Sequence, residues 1–211
     1  MKKIISIVLI AVLAVALAAV SLSSCGIIDK VENAVTYPDT YSITYEITSP
    51  DGLIHTVTKT VDADGNVYFK SKDSEKLFIN DSGYYTLYEK GSEGAFLAVD
   101  DVKYTAEAVE NEISLFDSYA RMTTNKFIPT ARCVGEQTVV DRVADTYKIG
   151  VNLFAVSFFH YYYVDQATGI CLGVDVVNET FGNETKDNEE TFVCTRFVTE
   201  NIENLANKIK K

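Results

Sequence analysis

The sequence predicts an α+β domain that is mostly β, an antiparallel meander with one main helix in its interior and a short helix at its end. Three observations predict it. Apolar and polar residues alternate with period two from Tyr41 to Thr48 and in many later segments. Turn-forming clusters of Gly, Asp, Asn, Ser and Pro separate those segments. One long stretch, about Thr105 to Met122, changes to helical spacing.

In chain order, the first element is a leader. Lys2 and Lys3 make a cationic start, Ile4 to Val20 is apolar but for Ser6, and the small residues Ser21, Ser23 and Ser24 precede Cys25. That arrangement is a secretion signal, residues 1–24. The apolar run is shorter than the roughly 20 residues of a membrane-spanning helix, and no basic stop follows it. Residues 25–40 read as a tether that starts apolar, takes up Asp29, Lys30, Glu32 and Asn33, and reaches Pro38.

The domain proper is expected over 41–211. Tyr41, Ile43, Tyr45 and Ile47 share one side of the first strand, with Ser42, Thr44, Glu46 and Thr48 on the other. Ser49-Pro50-Asp51-Gly52 turns the chain into a threonine-rich strand, Leu53 to Val61. The meander continues through Val67 to Ser71, Lys76 to Ile79, Tyr84 to Glu89 and Ala95 to Val99. In the helix, Val109, Ile113, Phe116 and Ala120 recur on one face, with Glu107, Glu110 and Glu112 early and Arg121 late. Strands resume over Gly135 to Val140, Ala144 to Val151, Phe154 to Asp165, Gly169 to Asn178 and Glu190 to Val198. Asn183 to Glu190 reads as an exposed hairpin loop, and Glu200 to Lys211 as a short helix with Ile202, Leu205, Ala206 and Ile209 on one side.

Removing the leader leaves 187 of the 211 residues, enough for one domain with a real core. It also removes two lysines, taking the formal charge from −11 to −13. Such acidity makes nucleic acid an unsuitable partner and argues against broad adhesion to anionic lipid. Cys133, Cys171 and Cys194 show no metal-ligand spacing. They are expected to be buried free thiols, the alternative being a Cys171 to Cys194 bridge across the closing hairpin.

Leu22-Ser23-Ser24-Cys25-Gly26 resembles a bacterial lipobox. The resemblance implies a lipoprotein with a diacylglyceryl group on the Cys25 sulfur, a reaction suited to a thiolate nucleophile, and cleavage between Ser24 and Cys25. Two acyl chains give a stable anchor where one gives a marginal one. The implied location is the extracytoplasmic side of the cell membrane or outer membrane, held there by lipid. Gly26 lacks the aspartate that marks inner-membrane retention in many bacteria with two membranes.

Two further motifs, Val134-Gly135-Glu136-Gln137-Thr138-Val139 and Tyr162-Tyr163-Val164-Asp165-Gln166-Ala167-Thr168-Gly169, together with the element order, resemble the LolA-like superfamily. That resemblance covers Tyr41 to about Val198 and implies a half-barrel wrapped around a helix. It also implies a non-enzymatic binder or receiver of a lipid or other apolar ligand. The alternative is a cell-surface interaction or envelope-structural module with a protein partner.

The aromatic strand Phe158 to Tyr163 offers two readings. Phe159, Tyr161 and Tyr163, with Tyr45 and Phe116, would form an apolar ligand wall, or the rings would simply pack sheet against helix. Asp62-Ala63-Asp64-Gly65-Asn66 places oxygens at alternating positions, but glycine falls fourth and Asp73 twelfth, so it reads as a β-turn and not as a calcium loop. His55 and His160 stand in no nucleophile or metal motif, and no phosphate loop or nucleophile elbow is present. No catalytic residue, metal or cofactor is expected.

Overall fold

The computed structural model describes residues 35–122, 131–153, 156–180, 183–186 and 189–209. The first half is a six-stranded meander: β1 (Tyr41–Thr48), β2 (Ile54–Val61), β3 (Val67–Lys70), β4 (Glu75–Asp81), β5 (Tyr84–Lys90) and β6 (Phe96–Tyr104). Two short helices follow, α1 (Ala106–Glu112) and α2 (Ser114–Ala120). The second half comprises β7 (Ala131–Val139), β8 (Arg142–Leu153), β9 (Val156–Asp165), β10 (Cys171–Thr180), β11 (Asn183–Lys186) and β12 (Thr191–Val198), then a 3-10 turn at Leu205–Lys208.

All twelve strands form one antiparallel sheet in the order β6-β5-β4-β3-β2-β1-β12-β10-β9-β8-β7, with β11 added on β10. The first and last strands therefore stitch the two meanders together, Ser42 opposite Val198 and Thr48 opposite Thr191, with a bulge at Thr44/Tyr45. Alternation in β1 is as expected: Ile43, Tyr45 and Ile47 are fully buried. On its other face the threonines pair across strands, Ser42 with Thr60 at 2.9 Å and Thr44 with Thr58 at 3.0 Å.

The helices lie across the sheet and touch β5 and β6 through α1 and β2 and β10 through α2. The two seven-residue helices and Ile113 between them span only about 22 Å, whereas β6 and β10 are seven positions apart, about 34 Å along a flat sheet. The sheet therefore curls around the helices, the layout that the half-barrel resemblance implies. Phe116, Ile113 and Ala120 are fully buried in the resulting core with Ile43, Tyr45, Ile47 and Val57. A second cluster joins Met122 after α2 to Ile149, Tyr162, Val164, Cys171 and Val174.

Four expectations are corrected. The single helix is two: Thr105 caps α1 by accepting from the Ala108 amide at 3.2 Å, but the chain breaks at Ile113. Ile113 has zero exposure, so core packing holds the break against helix propensity. The loop from Asn183 contains a strand, because β12 pairs with β10 only at Gly173 and Val174 and leaves the same edge free for β11 from Val177 to Thr180. The last helix is only a 3-10 turn, in which Leu205 is buried with Leu77 and Phe96. Leu77 and Phe78 alternate along β4, so this segment covers the sheet face opposite the helices. Finally, Cys133 is exposed, whereas Cys171 and Cys194 are buried; all three are free thiols. Cys194 stands opposite Tyr45 of β1 and not opposite Cys171.

Glycine has a steric role at Gly150 in β8. A Cβ there would lie 2.0 Å from the Phe158 carbonyl oxygen of the neighbouring strand. At Gly169, φ of +72° closes the β9–β10 corner, where its amide donates to the Asp165 carbonyl at 2.8 Å. The same corner is cross-braced: Asp165, 2% exposed, accepts from Arg142 Nε and Nη2 at 2.8 Å each, and from the Thr168 amide at 2.9 Å.

Candidate functional site

The chain before β1 is extended and docked, with the Thr36 amide donating to the Thr168 carbonyl at 2.8 Å and Thr40 Oγ1 donating to the Thr199 carbonyl at 2.9 Å. This lays Tyr37 against Tyr41, their rings stacked at 5.3 Å. Lys59 projects toward them from β2. It stands opposite Ile43 and shares the inward side with Val57, so alternation places a lysine where an apolar residue would be ordinary. Its side chain is only 3% exposed.

The Lys59 ammonium sits in a cage of rings, 5.0 Å from the centroid of Tyr37, 5.6 Å from Phe116 and 5.9 Å from Tyr41. Ring faces carry partial negative charge and stabilise a cation held there. The nearest carboxylate oxygen is Glu110 Oε1 at 3.7 Å, on a side chain 58% exposed. Tyr37 OH donates to Asp117 Oδ1 at 2.8 Å. Burial, and then Asp117, push the Tyr37 hydroxyl pKa well above the usual range, and burial with Glu110 does the same for Tyr41. Both phenols stay protonated at any physiological pH.

Around this cage opens a cleft of about 620 Å³ at the junction of the helices with β2, β3 and β5. Val61, Val67 and Tyr85 give it an apolar wall, and Glu110, Asp117 and Arg121 stand on the helix side. A second, more polar cleft of about 280 Å³ lies under the C-terminal segment, between Thr58, Thr60, Tyr68, Arg196 and Lys208. The first is of small-molecule size and combines apolar wall with a few placed polar groups, the usual make-up of a ligand site.

Of the expected wall residues, Tyr45 and Phe116 meet, at 5.4 Å between ring centroids, and both are fully buried. Tyr45 OH donates to the Cys171 carbonyl at 2.8 Å, while Tyr119 and Phe192 complete the ring cluster. Tyr163 packs on the same core and donates its hydroxyl to Asp175 Oδ2 at 2.5 Å. Phe159 and Tyr161 stand apart, beneath Lys148, whose ammonium is 3.5 and 5.2 Å from their centroids. Only Phe116 touches the Lys59 cage. Lys59, Tyr37 and Tyr85 were not singled out from sequence, and Arg121 was read only as a helix-end charge; the one available signal was a lysine at an inward position of the Val57-x-Lys59-x-Val61 alternation.

Ser24 and Cys25 lie outside the described residues. The Asp62 turn is structural: its carboxylate accepts from the amides of Asp64, Asn66 and Leu205 and from Asn66 Nδ2, which ties the C-terminal segment to the β2–β3 turn. His160 lies between Tyr162 OH and Glu189 Oε2, each at 3.4 Å, and His55 is half-buried at the start of β2. Among the described residues no cluster of His, Cys, Asp and Glu could hold a metal ion, and no helix is long and apolar enough to cross a membrane.

No protein-family model and no curated protein matches the chain. Among solved structures, a crystal structure of MucB is 16% identical over 89% of this chain and 62% of its own, with a TM-score of 0.41. The Pseudomonas aeruginosa MucA/MucB complex is 15% identical over 85% of this chain and 57% of the other, with a TM-score of 0.40. A LolA superfamily protein from Nitrosomonas europaea is 9% identical over 84% of this chain and 94% of its own, with a TM-score of 0.28. The chain thus spans less than two thirds of the MucB chains it matches.

Proposed function

We propose that this chain is a non-enzymatic extracytoplasmic lipoprotein, anchored through lipid on Cys25, that binds an apolar or amphiphilic ligand in the Lys59 cleft. The observation that carries the ligand reading is the cleft itself, about 620 Å³ with an apolar wall of Val61, Val67 and Tyr85 beside a caged ammonium. The anchor reading rests on the Leu22-Ser23-Ser24-Cys25 motif behind a secretion leader. The core under the helices is filled by Tyr45, Phe116 and their neighbours, which supports a ligand position beside the helices over one beneath them.

Native mass spectrometry of the protein released from its membrane tests the ligand reading: a bound apolar species is expected, reduced when Val61→Asp makes the wall polar. An empty protein across lipid mixtures refutes it. For the anchor, Cys25→Ala is expected to abolish incorporation of labelled palmitate and leave an uncleaved precursor.

One observation favours the protein-interaction reading. Strand β6 ends the sheet, and Leu97 and Val102 on it are 62% and 57% exposed. Open edges with apolar side chains accept further strands. Crosslinking in cells from Leu97 to one reproducible partner would support it.

A further inference from the structure

We infer that Lys59 makes the cleft selective for amphiphiles carrying a single negative charge, an inference that rests on the ligand reading above. A buried ammonium is costly unless close oxygens replace its lost water. Lys59 lacks them: among the described residues its ammonium donates no hydrogen bond, and its only carboxylate neighbour is at 3.7 Å, beyond hydrogen-bond reach. Rings supply part of the compensation, and the N–H groups, which no oxygen of the described residues accepts, face the open cleft.

Glu110 is placed to give way. At 58% exposure its carboxylate keeps most of its water, so it can turn outward at little cost when another anion arrives through the cleft. The incoming oxygen would make the charge-assisted hydrogen bond that Glu110 does not. Arg121 lines the same cleft and, among the described residues, forms no ion pair, which gives a second cation toward the mouth. The apolar wall then takes the chain of the ligand.

The same geometry limits the charge. Asp117 stays in the cleft wall, fixed by Tyr37 OH, whereas Glu110 turns out into water. Two cations facing the one remaining carboxylate leave a single net positive charge, which matches one added negative charge and not two. The head group is therefore a monoanion, an alkyl carboxylate or a monoanionic phosphodiester, and not a polyphosphorylated one.

The test is photolabelling of the full chain in nanodiscs by a diazirine-bearing fatty acid, read at peptides carrying Val61 and Tyr85. Competitors are decanoate, lysophosphatidylglycerol, decyl glucoside, decyltrimethylammonium and acetate. One charged hydrogen bond is worth about ten-fold or more in affinity, so decanoate should compete at least about ten-fold better than decyl glucoside or decyltrimethylammonium. Lysophosphatidylglycerol against decanoate distinguishes the phosphodiester from the carboxylate source.

Lys59→Met, close to isosteric, should erase the preference while decyl glucoside still competes. Glu110→Gln, on an exposed side chain, should strengthen competition by decanoate and serves if Lys59→Met does not fold. Equal competition by decanoate and decyl glucoside overturns the inference and leaves the ligand reading intact. Acetate competing as well as decanoate also overturns it, since the site would then hold anions without chains. No cleft labelling by any probe removes the ligand reading itself.

Discussion

Asp165→Asn is the sharpest probe of how the two halves of the second meander hold together. Asp165 is 2% exposed and accepts two hydrogen bonds from Arg142 and two from Thr168, whose carbonyl receives the Thr36 amide of the docked N-terminal segment. Breaking a buried ion pair costs about 3–5 kcal/mol. Arg142 is 23% exposed and can rehydrate, and the amide keeps one acceptor for Thr168, so about 2–3 kcal/mol is expected here.

The pH dependence supplies a second reading. Burial alone would raise the Asp165 pKa, but hydrogen bonds from Arg142 and Thr168 outweigh it and hold the carboxyl below its usual range. A carboxyl with a lowered folded pKa contributes stability that is complete above its unfolded value, about pH 4, and is lost as pH falls through the folded one. Asparagine does not titrate. Urea unfolding of both proteins should show a constant gap from pH 7 to about pH 5 that narrows below pH 4. A gap under about 0.5 kcal/mol at pH 7, or one unchanged down to pH 3, would refute the reasoning.

Three more outcomes follow from the core. Burial pushes the Cys171 thiol up to about 12 and the Cys194 thiol up to about 11, so a thiol reagent at pH 8 should modify exposed Cys133 alone in the native protein and all three domain cysteines in urea. Phe116→Ala removes a fully buried ring that packs on Tyr45 and floors the Lys59 cage, and should destabilise by about 3–5 kcal/mol in urea melts; a loss below about 1.5 would place the ring outside the core. Gly150→Ala drives a Cβ into the Phe158 carbonyl and should cost at least about 2 kcal/mol, whereas Gly135→Ala in β7, with open space around its Cβ, should cost under about 1 kcal/mol.

Much of the sheet was legible because period-two alternation and turn clusters are local signals. Tyr41, Ile43, Tyr45 and Ile47 did bury, and Gly52 and Gly65 adopt positive φ at the expected turns. The errors arose where a partner strand or packing surface decided the outcome. Residues 183–186 look polar and loop-like, yet a free edge on β10 recruits them. Residues 106–120 carry one helical stripe, yet the curled sheet divides them at Ile113.

The site shows the same division more strongly. Phe116 was visible as an aromatic on the apolar helix face, but Lys59, Tyr37 and Arg121 come from three separate segments and share no local pattern. The sequence by itself determined an apolar N-terminal stretch ending in a lipobox-like motif, an acidic composition and a meander with a helical interruption, because each is written in composition or short-range periodicity. Only the tertiary structure decided that β1 and β12 join the two meanders and that the helices fill the space beneath them. It alone decided that a lysine in a threonine-rich strand ends inside a ring of aromatics, since burial of that charge depends on groups brought from distant parts of the chain.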